Sequence, residues 1–341
     1  MTESTIKLAR QNKTGKKALN VPLMKKKGKR WLGSFLRLLL IICLSYLILA
    51  PILQNIVVAF THPDDLGMAT SVWVPQNVST QNWHVASLMI NYAQALPYTF
   101  LHTSIMVILQ TVCTMLAGYS FARFKFRFRS VLFAFVVFTI IVPPQVFMMP
   151  QYLFFRSFDI FGIITAITGK PLNLLGSTAS LYVMSAVGMG LKSGLYVYIF
   201  RQTFRGLPKE LEEAAYIDGA GFLRTFTSIV LPAAQAGILT VVVLSFVWNW
   251  NDSYYTNLFD NNNIRHLMLA YGKAISSVDE ALASISSKVP LTYSFLLKSP
   301  VYEAAIAKTA SMLVFLPLVV LYLFIQRKFV QGVERSGITG M

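Results

Sequence analysis

The chain has 341 residues, of which 55% are hydrophobic and only 13% charged, with a mean hydropathy of +0.56. About a quarter of the residues of an ordinary soluble domain are charged, so this composition excludes one and points to an integral membrane protein. The formal net charge of +16 does not signal nucleic acid, because the Lys and Arg residues stand in short clusters beside apolar runs, as the positive-inside rule requires.

The polar arm 1–35 ends in Lys25-Lys26-Lys27-Gly28-Lys29-Arg30 and leads into an apolar run from Trp31 to Phe60. That run exceeds the roughly 7 to 15 residues of a signal-peptide core, and no small-residue cleavage site follows it. It is an uncleaved first span, about Leu36 to Val58, entered from the cytoplasm; a spanning helix needs about 20 residues. Residues 61–96 lack Lys and Arg but carry Asp64, Asp65, Trp73 and Trp83, which places them outside with the tryptophans as interface anchors.

A second span, Tyr98 to Phe121, ends at the basic cluster Arg123, Lys125, Arg127 and Arg129, a cytoplasmic loop. The third, Val131 to Met149, contains Pro143-Pro144, which fits either a bend lining a pathway or a helix end near the interface. Arg156 to Asn173 is expected as an outer re-entrant or surface element. In the fourth span, Ser180 to Phe200, three glycines surround Lys192 and Ser193 near the middle. A lysine at that depth is costly unless it faces protein or water, so both residues are candidates for the translocation pathway. Backbone carbonyls of an unwound segment are the alternative partner for Lys192.

Arg201 and Arg205 mark the inner surface again. The fifth span, Ala233 to Trp250, runs into Asn249, Asn251 and Asp252, which are further pathway candidates; a surface cap is the other role for Asp252. Residues 253–304 form an outer loop with a turn at Asn261-Asn262-Asn263, and the sixth span, Ala305 to Ile325, emerges at Arg327-Lys328 into a cytoplasmic tail, 327–341. The chain is therefore expected to be an all-α polytopic protein of the cell membrane. Its membrane domain, 36–326, is expected to have six transmembrane helices, with both termini cytoplasmic.

Residues 203–232 interrupt this series, and within them 207–232 read LPKELEEAAYIDGAGFLRTFTSIVLP. Pro208 suits the first turn of a helix, and Glu210, Glu212 and Glu213 then lie near the positive end of its dipole. Gly219 and Gly221, on either side of Ala220, are able to end that helix and turn the chain. Phe222, Phe226, Ile229 and Val230 form one apolar face of a second short helix. Helix-dipole complementation explains Glu210 and Glu212 but weakens past the first turn, so Glu213 and Asp218 are left for a basic cleft on a partner.

The pattern Glu213-Ala214-Ala215, then Gly219, Ile229 and Leu231-Pro232, resembles the EAA loop of the membrane subunits of binding-protein-dependent ABC importers. Gly118 to Phe126, Phe200 to Phe204, Tyr216 to Gly221 and Trp248 to Asp252 resemble the carbohydrate branch of that family, including the smaller permease of the maltose transporter. The resemblance implies a type I importer permease fold with a cytoplasmic coupling helix between the fourth and fifth spans. It implies as partners a second permease, two copies of an ABC ATPase that hold ATP and Mg, and an extracytoplasmic solute-binding protein delivering a sugar. On that basis Glu210, Glu212, Glu213, Ala214, Ala215, Asp218, Gly219, Ala220 and Gly221 are the coupling residues. One departure is that Ala233 to Gly237 lacks the proline usual in the sugar branch, so the bend there is expected to differ.

The chain itself offers no enzyme chemistry. Gly169-Lys170 precedes Pro171 and lacks the upstream glycine of a phosphate-cradling loop. His62, His84, His102 and His266 show no ligand spacing with one another or with Cys43 or Cys113, so no metal, cofactor or disulfide is expected. A non-sugar solute is the alternative within the same importer class. A stand-alone secondary transporter would show related halves and intramembrane carboxylates, and neither is present.

Overall fold

The computed structural model describes residues 21–67, 73–260, 265–289 and 299–338, with side chains from 31 to 326 within that set. The turn at Asn261-Asn262-Asn263, most of the basic arm and part of the 253–304 loop lie outside these residues. Two compact units are distinguished, 1–54 and 55–341. In the first, helix α1 (Val21–Phe60) exposes Leu36, Leu40, Ile41, Leu44 and Leu47 around its circumference, the pattern of a helix in contact with lipid.

The second unit opens with a folded loop. Asp65 is buried and accepts from the backbone N–H and side-chain amide of Asn77 at 3.2 and 2.8 Å. Asn82, in α2 (Gln81–Met89), donates to the carbonyls of Val58 and Thr61. Trp83 packs against the cluster of Val85, Ile90, Trp250 and Tyr302, so it is part of a protein core.

Helix α3 (Tyr92–Arg123) is the centre of this unit and buries Gln110, Thr111 and Thr114 among its apolar residues. Pro143-Pro144 stands at a sharp bend. Helices α4 (Arg129–Ile141) and α5 (Gln145–Arg156) meet at 107°. The prolines cannot donate to the preceding turn, and the helix restarts with Val146 and Phe147 donating to the Pro143 and Pro144 carbonyls. At about 1.5 Å per residue α4 spans only about 20 Å, less than a bilayer core. The expected third span is thus a bent pair of helices, with the bend at the prolines that the sequence marked.

Residues 156–173 form a small surface element in which Asp159 caps α6 (Ile163–Thr168) by accepting from Ile164 N at 2.9 Å. The expected fourth span is interrupted at its glycines. It is divided into α7 (Ala179–Ala186) and α8 (Ser193–Gly206), with positive φ at Gly188 and Lys192 between them. Helix α8 lies along α3, and Gly118 permits the approach, since a Cβ there would overlap the Cβ of Phe200.

Next come α9 (Glu210–Ile217) and α10 (Phe222–Ala233), the latter with a π-helical turn at Phe226–Val230. Helix α11 (Gln235–Trp250) leaves α10 at 75°, so this bend forms without the proline that Ala233 to Gly237 lacks. Short helices α12 (Tyr254–Phe259), α13 (Leu267–Ser276) and α14 (Val278–Ser284) precede α15 (Pro300–Ile338), which continues beyond the expected sixth span. The fold is all-helical, and isolated bridges, Thr61 with Val78 and Phe158 with Leu172, are the only extended pairings among the described residues. By length and composition three helices suffice to cross a membrane, or five when each bent pair counts as one span. The broken fourth segment accounts for the difference from the expected six.

Candidate functional site

The helix-turn-helix is built locally. Leu207 leaves α8 in an extended conformation, Pro208 follows, and α9 starts with Glu212 and Glu213 donating their N–H groups to the Lys209 carbonyl. Gly219 ends the helix at φ +79°, with its N–H on Tyr216 and that of Ala220 on Ala215. A Cβ at Gly219 would meet nothing within 4 Å, so the demand for glycine there is conformational rather than steric. Gly221, with φ −74° and ψ 169°, takes angles open to any residue, which removes the turn-forming role expected for it.

Ala215 is buried and Ala220 half-buried, while Glu210, Glu213, Ala214, Asp218, Gly219 and Gly221 are exposed. Ile217 and Leu223 flank the turn with 86% and 73% exposure, an apolar rim beside the acids. Glu212 is not part of this outer face. Its Oε1 lies 2.7 Å from Arg123 Nε, and Tyr119 donates to its Oε2 at 3.0 Å. Phe204 and Phe226 pack edge-on to Tyr119, and Arg123 Nη2 also donates to the Leu207 carbonyl at 3.0 Å. The acidic cluster seen in the sequence therefore separates into outward and inward members.

A second constellation centres on Gln110, which sequence reasoning missed although it is an isolated amide in the apolar run Val107 to Val112. Its Nε2 donates to the Leu191 carbonyl at 2.7 Å and to Ser193 Oγ at 2.8 Å. Its Oε1 accepts from Ser245 Oγ at 2.8 Å and from Asn249 Nδ2 at 3.0 Å. One buried amide thus ties α3 to the break before α8 and to α11, with its hydrogen-bonding capacity filled.

Of the pathway candidates, Ser193 and Asn249 meet on Gln110. Lys192 stands next to them at the N-terminus of α8 with φ +62°, and its Nζ lies over the Trp248 ring at 4.8 Å. Asn251 instead donates to the Val247 carbonyl, on an exposed turn. Asp252 caps α12, accepting from the N–H groups of Tyr254, Tyr255 and Thr256 and from the Thr256 hydroxyl. The cap is the role that the geometry supplies for it. Beyond this end of α11 an open groove of about 920 Å³ is lined by residues including Gln145, Tyr152, Tyr254, Asn257 and Lys273.

A family model described as binding-protein-dependent transport system inner membrane component matches residues 110–335, from the Gln110 hub through the helix-turn-helix into α15. The chain belongs to this family. Inner membrane components of this kind are transport subunits embedded in the membrane, which accounts for the exposed apolar surfaces of the long helices. Over 316 residues the chain is 25% identical to the sn-glycerol-3-phosphate transport system permease protein UgpE of Yersinia pestis, covering 91% of this chain and 98% of that one. It is also 25% identical over 276 residues to the melibiose/raffinose/stachyose import permease protein MelC of Bacillus subtilis, covering 80% of this chain and 86% of the relative. A similar fold occurs in the crystal structure of a bacterial ABC transporter involved in the import of the acidic polysaccharide alginate. The TM-score is 0.65 at 17% identity, over 88% of this chain and 98% of that one.

Proposed function

We propose that the chain is the permease subunit of an ATP-driven importer that passes a sugar or oligosaccharide across the cell membrane. The observation that carries this reading is the helix-turn-helix of α9 and α10. In a member of this family it offers outward Glu213 and Asp218, an apolar rim and a conformationally required Gly219. That surface docks on an ATPase subunit, present in two copies with ATP and Mg, and a second permease and an extracytoplasmic binding protein complete the assembly. The permease domain is 36–326. The basic loop at Lys125, the helix-turn-helix and both termini face the cytoplasm, in keeping with the Lys and Arg bias of the short loops.

The groove near α12 faces outward in this arrangement and takes the solute. Its tyrosine rings suit the C–H faces of a sugar, and its amides and Lys273 suit hydroxyl oxygens; its volume falls within the range of about 300–1,000 Å³ usual for ligand sites. Likeness to the MelC permease favours an oligosaccharide, and likeness to UgpE favours a phosphorylated polyol as the second reading. The test is co-purification from the native membrane, followed by ATP hydrolysis and uptake in vesicles with raffinose, stachyose, maltotriose and sn-glycerol-3-phosphate. An associated ATPase stimulated by a saccharide is expected. Stimulation by the phosphate ester alone selects the second reading, and absence of any ATPase rejects the importer.

A further inference from the structure

Helix α9 makes its backbone contacts chiefly with α10, and one hydrogen bond and one ion pair from long side chains connect it to α3. Arg123 is the last residue of α3. It meets Glu212 in the first turn of α9 and the Leu207 carbonyl at the end of α8, so one guanidinium joins three elements. Arg123 and Glu212 keep only 8% and 13% side-chain exposure. Shielding of this degree strengthens the attraction of opposite charges over that of a surface pair and leaves little of either group for a partner protein. Consecutive helical residues lie about 100° apart, which is how Glu212 turns inward while Glu213 remains outside.

We propose that Glu212 and Arg123 form an internal strut that carries displacement of α9 to the end of α3. Both are then positioning residues for solute-coupled ATP hydrolysis and not contacts to the ATPase. The inference rests on the reading of α9 as the ATPase-docking helix. A push on α9 meets one directional hydrogen bond at Glu212, from Tyr119, whose ring packs edge-on against Phe204 and Phe226, and beside it the close charge contact with Arg123. Apolar contacts alone resist sliding weakly because they have no preferred direction. The strut gives the joint a direction, and α3 carries it towards the Gln110 hub.

The test uses the assembled transporter in lipid vesicles with its ATPase and binding protein, supplied with raffinose or, where that gives no stimulation, sn-glycerol-3-phosphate. Solute moved per ATP hydrolysed is measured for wild type, Glu212→Arg, Arg123→Glu and the double exchange. Each single exchange places like charges at the joint and is expected to lower the ratio about tenfold, within the range for breaking one member of a coupling network. The double exchange restores opposite charges, with the Tyr119 oxygen accepting from the new guanidinium, and is expected to return the ratio to within about threefold of wild type. A double exchange no better than Glu212→Arg assigns Glu212 to docking and overturns the strut, as do unchanged ratios in both singles. Where a single exchange fails to reach the membrane, Glu212→Gln replaces it, keeping the size and the bond from Tyr119; a wild-type ratio in that variant also overturns the strut. A wild-type assembly that hydrolyses no ATP in response to either solute rejects the importer reading, and the strut with it.

Discussion

Asn249 Nδ2 lies 3.0 Å from Gln110 Oε1, so the last turn of α11 is hydrogen-bonded to the middle of α3 through two buried amides. Ser193 and the Leu191 carbonyl occupy the other end of Gln110, which places the break before α8 in the same network. Replacing Gln110 with Leu removes four hydrogen bonds. At about 0.6 kcal/mol each in a membrane interior, the expected loss is roughly 2–3 kcal/mol. Thermal unfolding in detergent should show it, and an unchanged midpoint would mean that water or other side chains take over the released partners.

Backbone conformation separates the two glycines of the helix-turn-helix. Gly219→Val places a β-branched residue at φ +79° and should cost about 1–2 kcal/mol, with weaker ATPase retention and loss of uptake. Gly219→Asn, which tolerates the left-handed region, should retain most uptake. Gly221→Ala, at ordinary angles with open space around it, should match wild type. Equal behaviour of the Val and Asn variants in pull-down and uptake assays would contradict the conformational explanation.

Glu213 is exposed and has no buried role to lose. Glu213→Ala should therefore leave stability within about 0.5 kcal/mol of wild type while reducing ATPase association and solute-stimulated hydrolysis. Wild-type ATPase retention on an affinity column would remove Glu213 from the docking surface.

Lys192 holds a left-handed backbone at the head of α8 and places its ammonium over Trp248. Lys192→Met should lose about 0.5–2 kcal/mol of cation–π attraction. If Lys192 also borders the solute route, the half-saturation concentration for uptake should rise while ATPase association is kept. Unchanged affinity and rate in a stable variant would confine Lys192 to a structural role.

Topology has its own check. With Cys43 and Cys113 replaced, a single cysteine at Trp73 should react with a membrane-impermeant thiol reagent in intact cells, and one at Lys125 should react only after the cells are opened. The reverse pattern would invert the proposed orientation.

The sequence by itself determined the all-helical membrane class, the position of the helix-turn-helix between apolar segments and the pair of glycines at its turn, of which the structure assigns the positive φ to Gly219. These features are local: an apolar run long enough to span, a proline ahead of acidic residues, and a glycine where φ must be positive each act within a few residues of their own position. It also marked Lys192 and Asp252 as polar groups needing an explanation. Only the tertiary structure decided what those explanations are. Gln110 finds its partners 81, 83, 135 and 139 residues away, and Tyr119 meets Glu212 across 93 residues, distances over which no periodicity carries information. The glycines of the fourth segment marked a weak point in the sequence, but the partner that makes the break tolerable, the Gln110 side chain on the Leu191 carbonyl, comes from α3 and is not encoded in the segment's own residues. Glu212 and Glu213 are chemically identical neighbours, and one pairs inward while the other stays exposed only because Arg123 and Tyr119 lie against one face of α9.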